Sequence, residues 1–429
     1  MKLSITFILT PLIFLASCST SREKSQKYVL SEGTAESVGL SQERLNNIDR
    51  LLQAAIDSGY YADLASIIVR KGKIVQYGAF GSTDENSTKP LSKDAIFRIA
   101  SQTKAITSVA VMMLYEEGKF LLDEKIEDYL PEFKEMNLLE TFDSKDSSYT
   151  SRKLLEPIRI RHLLNHTSGL DYFGFGNDTL SCIYAKNGMP SIFGSDQYLL
   201  QDFSLLAAKM PLHHAPGEKF TYGINTDILG RLVEVVSGMS LNDFFNSRIF
   251  EPLGMKDTYF YLPESKKERL VPVFVTEDGK LSEIHGKDEF GVGLDYPLLE
   301  GIFYSGGAGL SSTLMDYAIF LQMMLNGGEY DGKRLISRRT VEMMTSNQIG
   351  DLSLNRDKFG LGFLIKTTEG QRTIGESAGS FSWGGYYGTI YWADTKEQLI
   401  GLLFTNQRKA MPGNVHEKFK AMVYASLDD

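Results

Sequence analysis

Ser101-Gln102-Thr103-Lys104 sets a hydroxyl and an amine three residues apart. On a helix, positions i and i+3 share a face, so the two groups can meet. A serine hydroxyl becomes nucleophilic when a base stands beside it. A lysine amine can be that base where burial disfavours the ammonium form. The start of a helix also offers backbone N–H groups to a developing oxyanion. The four-residue pattern is weak by itself: Ser21-Arg22-Glu23-Lys24 fits it too, in polar surroundings that orient nothing, and Ser101 would also make an ordinary N-cap. Context separates the two sites. Phe97, Ile99 and Ala100 precede Ser101, and Ile106, Val109, Ala110, Met113 and Leu114 follow, which predicts a largely buried helix carrying Lys104.

A second serine competes. Gly375-Glu376-Ser377-Ala378-Gly379 is a G-x-S-x-G, with Asp394 and His416 downstream in the chain order of an α/β-hydrolase triad. Such an elbow needs a strand before it and a helix after it, whereas Gly- and aromatic-rich, strand-like sequence follows Ser377. A Gly/Ser turn leading into the strand around Trp383 is the preferred reading. The six histidines (His162, His166, His213, His214, His285 and His416) form no H-E-x-x-H or similar ligand pattern, so no metal and no cofactor is expected. His162 and His166, four apart, are read as structural.

The elements that must position these groups follow from periodicity. Ser41 opens a helix with apolar Leu45, Ile48, Leu51, Leu52, Ala55 and Ile56. Residues 64–69 and 73–80 read as a hairpin turning at Lys71-Gly72. A helix runs from about Ser101 to Glu117, stopped by Gly118, and a short one spans 123–129. Helical stretches near 159–164, 203–208 and 227–236 fill the middle, and another helix covers 314–325. Strands are expected at 362–366, 386–392 and 398–405, then a closing helix. This predicts an α+β fold: one antiparallel sheet built from N- and C-terminal segments, flanked by helices, with a mainly helical insert over about 156–300 and a cleft between the two.

Phe97-Arg98-Ile99-Ala100-Ser101-Gln102-Thr103-Lys104, Glu116-Glu117-Gly118-Lys119 and Leu122-Asp123 resemble the opening of the class C β-lactamase and family VIII esterase superfamily. Further stretches match in order: Ile160 to Leu170, Pro216-Gly217-Glu218 with Tyr222 and Leu229-Gly230, Gly306 to Leu310, and Trp383-Gly384-Gly385. The resemblance covers about residues 41–406. It implies that Ser101 is the nucleophile, that Lys104 and the Tyr222 phenol share the proton, and that the backbone N–H groups of Ser101 and Tyr386 hold the oxyanion. It also implies that Trp383, Gly384, Gly385, Tyr387 and Asn225 lie along the substrate. The sequence departs from the β-lactamase pattern twice. After Tyr222 comes Gly223-Ile224-Asn225, with the asparagine one place late, and Trp383-Gly384-Gly385 stands where a cationic Lys-Thr-Gly is common. The missing cation favours a carboxylesterase on small uncharged esters over a β-lactamase or DD-peptidase on the same residues. A non-catalytic penicillin-sensing or peptidoglycan-binding lipoprotein is the further alternative.

Of 429 residues, 42% are hydrophobic and 23% charged, which suits one large globular domain. A net charge of −9 argues against a nucleic-acid partner. Residues 1–17 read as a signal peptide: Lys2, then the apolar run Leu3 to Ala16, too short to span a bilayer. Leu15-Ala16-Ser17-Cys18 resembles a lipobox, which implies cleavage before Cys18, fatty acylation of its thiol, and a lipid-anchored hydrolase in a bacterial cell envelope. Residues 18–32 are expected to be a flexible tether and 33–429 the catalytic domain. With Cys18 acylated, Cys182 has no partner and is expected in the core.

Overall fold

The computed structural model describes residues 27–84, 88–172, 178–288, 291–408 and 412–429. The signal-peptide and lipobox readings, Cys18 included, lie outside them.

The apolar runs Leu64 to Val69 and Leu399 to Phe404 become the two central strands, β2 (Asp63–Arg70) and β8 (Leu399–Phe404), each buried at every position. Near-continuous apolar sequence is what a strand covered on both faces requires. They pair antiparallel in an eight-stranded sheet, which is completed by β1 (Ser31–Glu32), β3 (Lys73–Gly81), β4 (Lys358–Phe359), β5 (Leu364–Ile365), β6 (Phe381–Gly384) and β7 (Ile390–Asp394). The spatial order is β1-β3-β2-β8-β7-β6-β5-β4, antiparallel throughout except β1 on β3. The sheet therefore joins the two ends of the chain, as predicted. Lys71 and Gly72, both at positive φ, close the β2–β3 hairpin at the expected place.

The outer face is covered by α1 (Gln42–Asp57), whose cap Ser41 accepts the Arg44 amide, and by α6 (Val415–Ala425). Leu45, Ile48, Leu52, Phe419 and Val423 pack there on Trp392, Leu399 and Leu403. Gly401 is needed beneath Trp392, because a Cβ would fall 2.3 Å from the indole ring. On the inner face lie α2 (Thr103–Glu116), α5 (Leu314–Leu325) and the helical middle, including α3 (Asp178–Lys186) and α4 (Asn225–Ser237). α2 is buried from Thr103 to Leu114, a helix enclosed on all sides.

Four expectations change. A hairpin of Asn137–Asp143 with Ser148–Lys153 was not anticipated; it is largely solvated on both faces and so shows no alternation. The strand expected over 386–392 starts only at Ile390, after a turn. Cys182 is exposed on α3, whose Leu180, Ile183 and Tyr184 take the core positions. The segment 27–32, read as tether, is fastened to the domain. The Tyr28 amide donates to Asn326 Oδ1 at 3.0 Å, the Leu30 amide donates to the Tyr330 hydroxyl at 3.2 Å, and Ser31–Glu32 adds to the sheet. Among the described residues no helix is long and apolar enough to cross a membrane.

Candidate active site

Ser101 sits in a 3₁₀ turn, Ala100–Gln102, that feeds directly into α2. Ala100 takes φ 42°, a left-handed conformation costly for any residue with a Cβ, so the surroundings must impose it. They do so with hydrogen bonds on both sides of the turn. The Ile99 amide donates to Leu310 O at 3.1 Å, and the Tyr317 hydroxyl donates to Gln102 O at 2.9 Å. Upstream, the buried Arg98 guanidinium donates to Leu294 O at 2.7 Å and to Val271 O at 2.6 Å.

One turn along, Lys104 is 2% exposed. Its Nζ donates to Gly307 O at 2.7 Å and to the Tyr172 hydroxyl at 2.6 Å, and reaches Ser101 Oγ at 3.4 Å. Three donors thus meet three acceptors, one of them the serine. The same nitrogen lies 4.8 Å from the centre of the Tyr222 ring.

Two phenols therefore flank the amine. Tyr222 lies just ahead of α4, and its oxygen accepts the Trp383 Nε1–H at 3.1 Å. Tyr172 is 2% exposed and hydrogen-bonded to Tyr222; burial first, then the neighbouring Tyr222 and Asp227, push its pKa well above the ordinary tyrosine value. Tyr172 is consequently held as a neutral phenol. Beneath Tyr222 lies the His166 ring, 4.8 Å away between centroids. Burial, reinforced by Lys104, drives the His166 pKa well below its usual value, which leaves a neutral imidazole.

A cavity of about 390 Å³ opens over Ser101. Tyr172, Tyr222, Trp383 and Tyr386 form most of its wall, with Ile192, Phe193, Ala308, Gly384 and Gly385. Among the described residues none that lines it carries a formal charge. Gly385 brings the end of β6 against the serine turn, since a Cβ there would fall 2.5 Å from Ile99 O. Tyr386 is fixed behind it. Its carbonyl accepts Arg408 Nη1 at 2.7 Å, and its hydroxyl donates to Asp288 Oδ2 at 3.0 Å.

The family model described as beta-lactamase matches residues 48–424, most of the chain. The chain belongs to the β-lactamase family. This β-lactamase-family protein is 29% identical over 408 residues to esterase EstB of Burkholderia gladioli, covering 88% of this chain and 94% of that one. It is 28% identical over 408 residues to an Escherichia coli chain named provisionally as a D-alanyl-D-alanine carboxypeptidase, with 89% and 85% covered. Among solved structures it is similar to EstCE1, "a hydrolase with promiscuous acyltransferase activity", at TM-score 0.77 and 25% identity, covering 89% of this chain and 99% of that one. Fold and family together make the protein a serine hydrolase.

The β-lactamase-family fold brings Ser101, Lys104, Tyr222, Trp383, Gly384, Gly385 and Tyr386 around one cavity and leaves two expected residues out of it. Asn225 is fully buried, with its amide oxygen accepting the Ser168 hydroxyl and its nitrogen paired with His166 Nδ1 at 3.0 Å, so no amide group remains for a substrate. Tyr387, also fully buried, lies behind the cavity wall, edge-on to the Tyr386 ring at 5.0 Å between centroids and packed on Phe193. Ser377 is confined to its turn. Its amide donates to Asp394 Oδ2 at 2.9 Å, and strand β6 follows it rather than a helix. Tyr172 and the Ile192-Phe193 wall were missed; Tyr172 stands two residues beyond the matching stretch that ends at Leu170, and no spacing rule singles it out.

Proposed function

We propose that this serine hydrolase is a carboxylesterase that acts through an acyl-enzyme on small uncharged esters. Ser101 Oγ attacks the ester carbonyl and its proton passes to the Lys104–Tyr222 pair. The oxyanion rests on the backbone N–H groups of Ser101 and Tyr386. Tyr222 then gives the proton to the departing alcohol, and water, activated by the same pair, releases the acid. The steps need no cofactor. The observation that carries this reading is the uncharged, aromatic cavity wall. A β-lactam or a peptide C-terminus brings a carboxylate, and burying it beside Trp383 and Phe193, with no cation among the described lining residues, is costly. The esterase named among the relatives adds support. Turnover of p-nitrophenyl acetate and butyrate, abolished by Ser101→Ala and unaffected by Ser377→Ala, with nitrocefin hydrolysed far more slowly, is the expected result. Faster nitrocefin turnover would reverse the assignment.

The lipobox-like Leu15-Ala16-Ser17-Cys18 supports a lipid-anchored enzyme in the bacterial cell envelope. Radiolabelled palmitate should enter the wild-type chain and not Cys18→Ser.

A further inference from the structure

Asp227 lies on α4, one turn beyond Tyr222, and is 1% exposed. It lines no part of the cavity and touches no reacting group. Its Oδ1 accepts the Ser305 hydroxyl at 2.6 Å and the Gly307 amide at 3.0 Å. Its Oδ2 is buried with no hydrogen-bond partner. An asparagine would satisfy the same two donors through one oxygen. What a carboxylate adds here is charge, and a charge enclosed in protein needs a counter-charge.

The cation that faces it is Lys104. Gly307 joins the two, giving its N–H to Asp227 and its carbonyl to Lys104 Nζ. Arg231, one turn along α4, is instead paired with Glu234 at 3.1 Å. The other titratable groups around the pair are Tyr172, Asp171 and His166 from the loop before α3, Tyr222 before α4, Tyr391 from β7, and Tyr198 on the far side of Asp227. The 305–310 segment contributes none.

We propose that Asp227 is a positioning residue, the buried counter-charge that holds Lys104 against Ser101 and through it shapes the pH dependence of turnover. The proposal rests on the acyl-enzyme reading above. Burial raises the Asp227 carboxyl above its ordinary range, and the attraction of Lys104 is the largest of the effects that oppose it.

Two measurements test it. In Asp227→Asn the ammonium loses its partner, so the acid limb of kcat/KM moves down by about one pH unit or more. A residue that only anchored the 305–310 loop would lower activity and leave that limb where it was. The second reads stability and needs no turnover. Lys104→Met strands the Asp227 charge and lowers Tm, and adding Asp227→Asn restores much of the loss. An unmoved acid limb, or strictly additive changes in Tm, overturns the proposal. Fluorophosphonate labelling of Ser101 in the wild type tests the acyl-enzyme reading separately. Failure there with intact Tm coupling would sink the esterase mechanism and leave the coupling between Asp227 and Lys104 standing.

Discussion

Lys104 has a phenol on each side, and their surroundings divide the work between them. Tyr172 is almost fully buried even where it meets the cavity, and burial first, then Tyr222 and Asp227, keep its proton on. Tyr222 is the more open of the two to the cavity, and its oxygen accepts an N–H from Trp383 rather than from Lys104. Tyr222 is therefore suited to shuttle a proton and Tyr172 to hold the amine in place. Tyr222→Phe should lower kcat by about 10²–10⁴-fold, the usual worth of a general acid–base group. Tyr172→Phe removes one hydrogen bond to an ammonium and should cost only about tenfold. Single-turnover kinetics on a p-nitrophenyl ester read both, and the reverse ranking would move the shuttle to Tyr172.

Elements with strong periodic signals were legible, and so was the chemistry that lies within one helix turn. Ser101 and Lys104 meet because i, i+3 geometry is local, and the β2–β3 hairpin forms where Lys71-Gly72 foretold it. What depends on distant contacts was not legible. Asn225 turns inward because Ser168 and His166 claim its amide, and Tyr387 packs into the core against Phe193 and Tyr386 while Tyr386 lines the cavity. The turn that interrupts the expected 386–392 strand has a cause in packing. It lets Gly385 pass against Ile99 O, with its amide donating to Thr389 O at 2.7 Å. Gly385→Ala would set a methyl 2.5 Å from that carbonyl and 2.2 Å from Thr389 Oγ1. The end of β6 must then retreat from the serine turn and carry the Tyr386 amide with it. The expected outcome is a fall in kcat of about 10²-fold, the scale for losing an oxyanion donor. Adding Thr389→Ala, which removes the side-chain clash and leaves the backbone one, should not rescue it. Recovery in the double variant would show that Ile99 is not the obstacle.

At the scale of the whole molecule, the sheet couples the chain's two ends, and one buried polar junction ties both to the serine turn. Asp63, at the start of β2, accepts the Asn406 amide at 3.0 Å, just past β8. Asn406 Oδ1 in turn accepts the Arg98 amide at 3.1 Å, and the Arg98 side chain reaches into the 271–294 region. Burial pushes the Asp63 carboxyl up to about 7, against the weaker pull of Asn406 and Thr405. The folded state thus keeps a proton that the unfolded chain releases near the ordinary carboxyl range. Between those two values the unfolded state binds fewer protons, so stability falls as pH rises, and it levels off above about 7. Each pKa unit is worth about 1.4 kcal/mol, so the span amounts to a few kcal/mol. Asp63→Asn keeps an oxygen for the Asn406 amide and has no proton to lose. Relative to wild type, the variant should gain stability steadily from pH 4.5 to pH 8 in urea titrations. A difference between the two proteins that stays flat across that range would mean that Asp63 is already ionised in the folded enzyme, with a charge on Arg98 or a structural water compensating it at the junction.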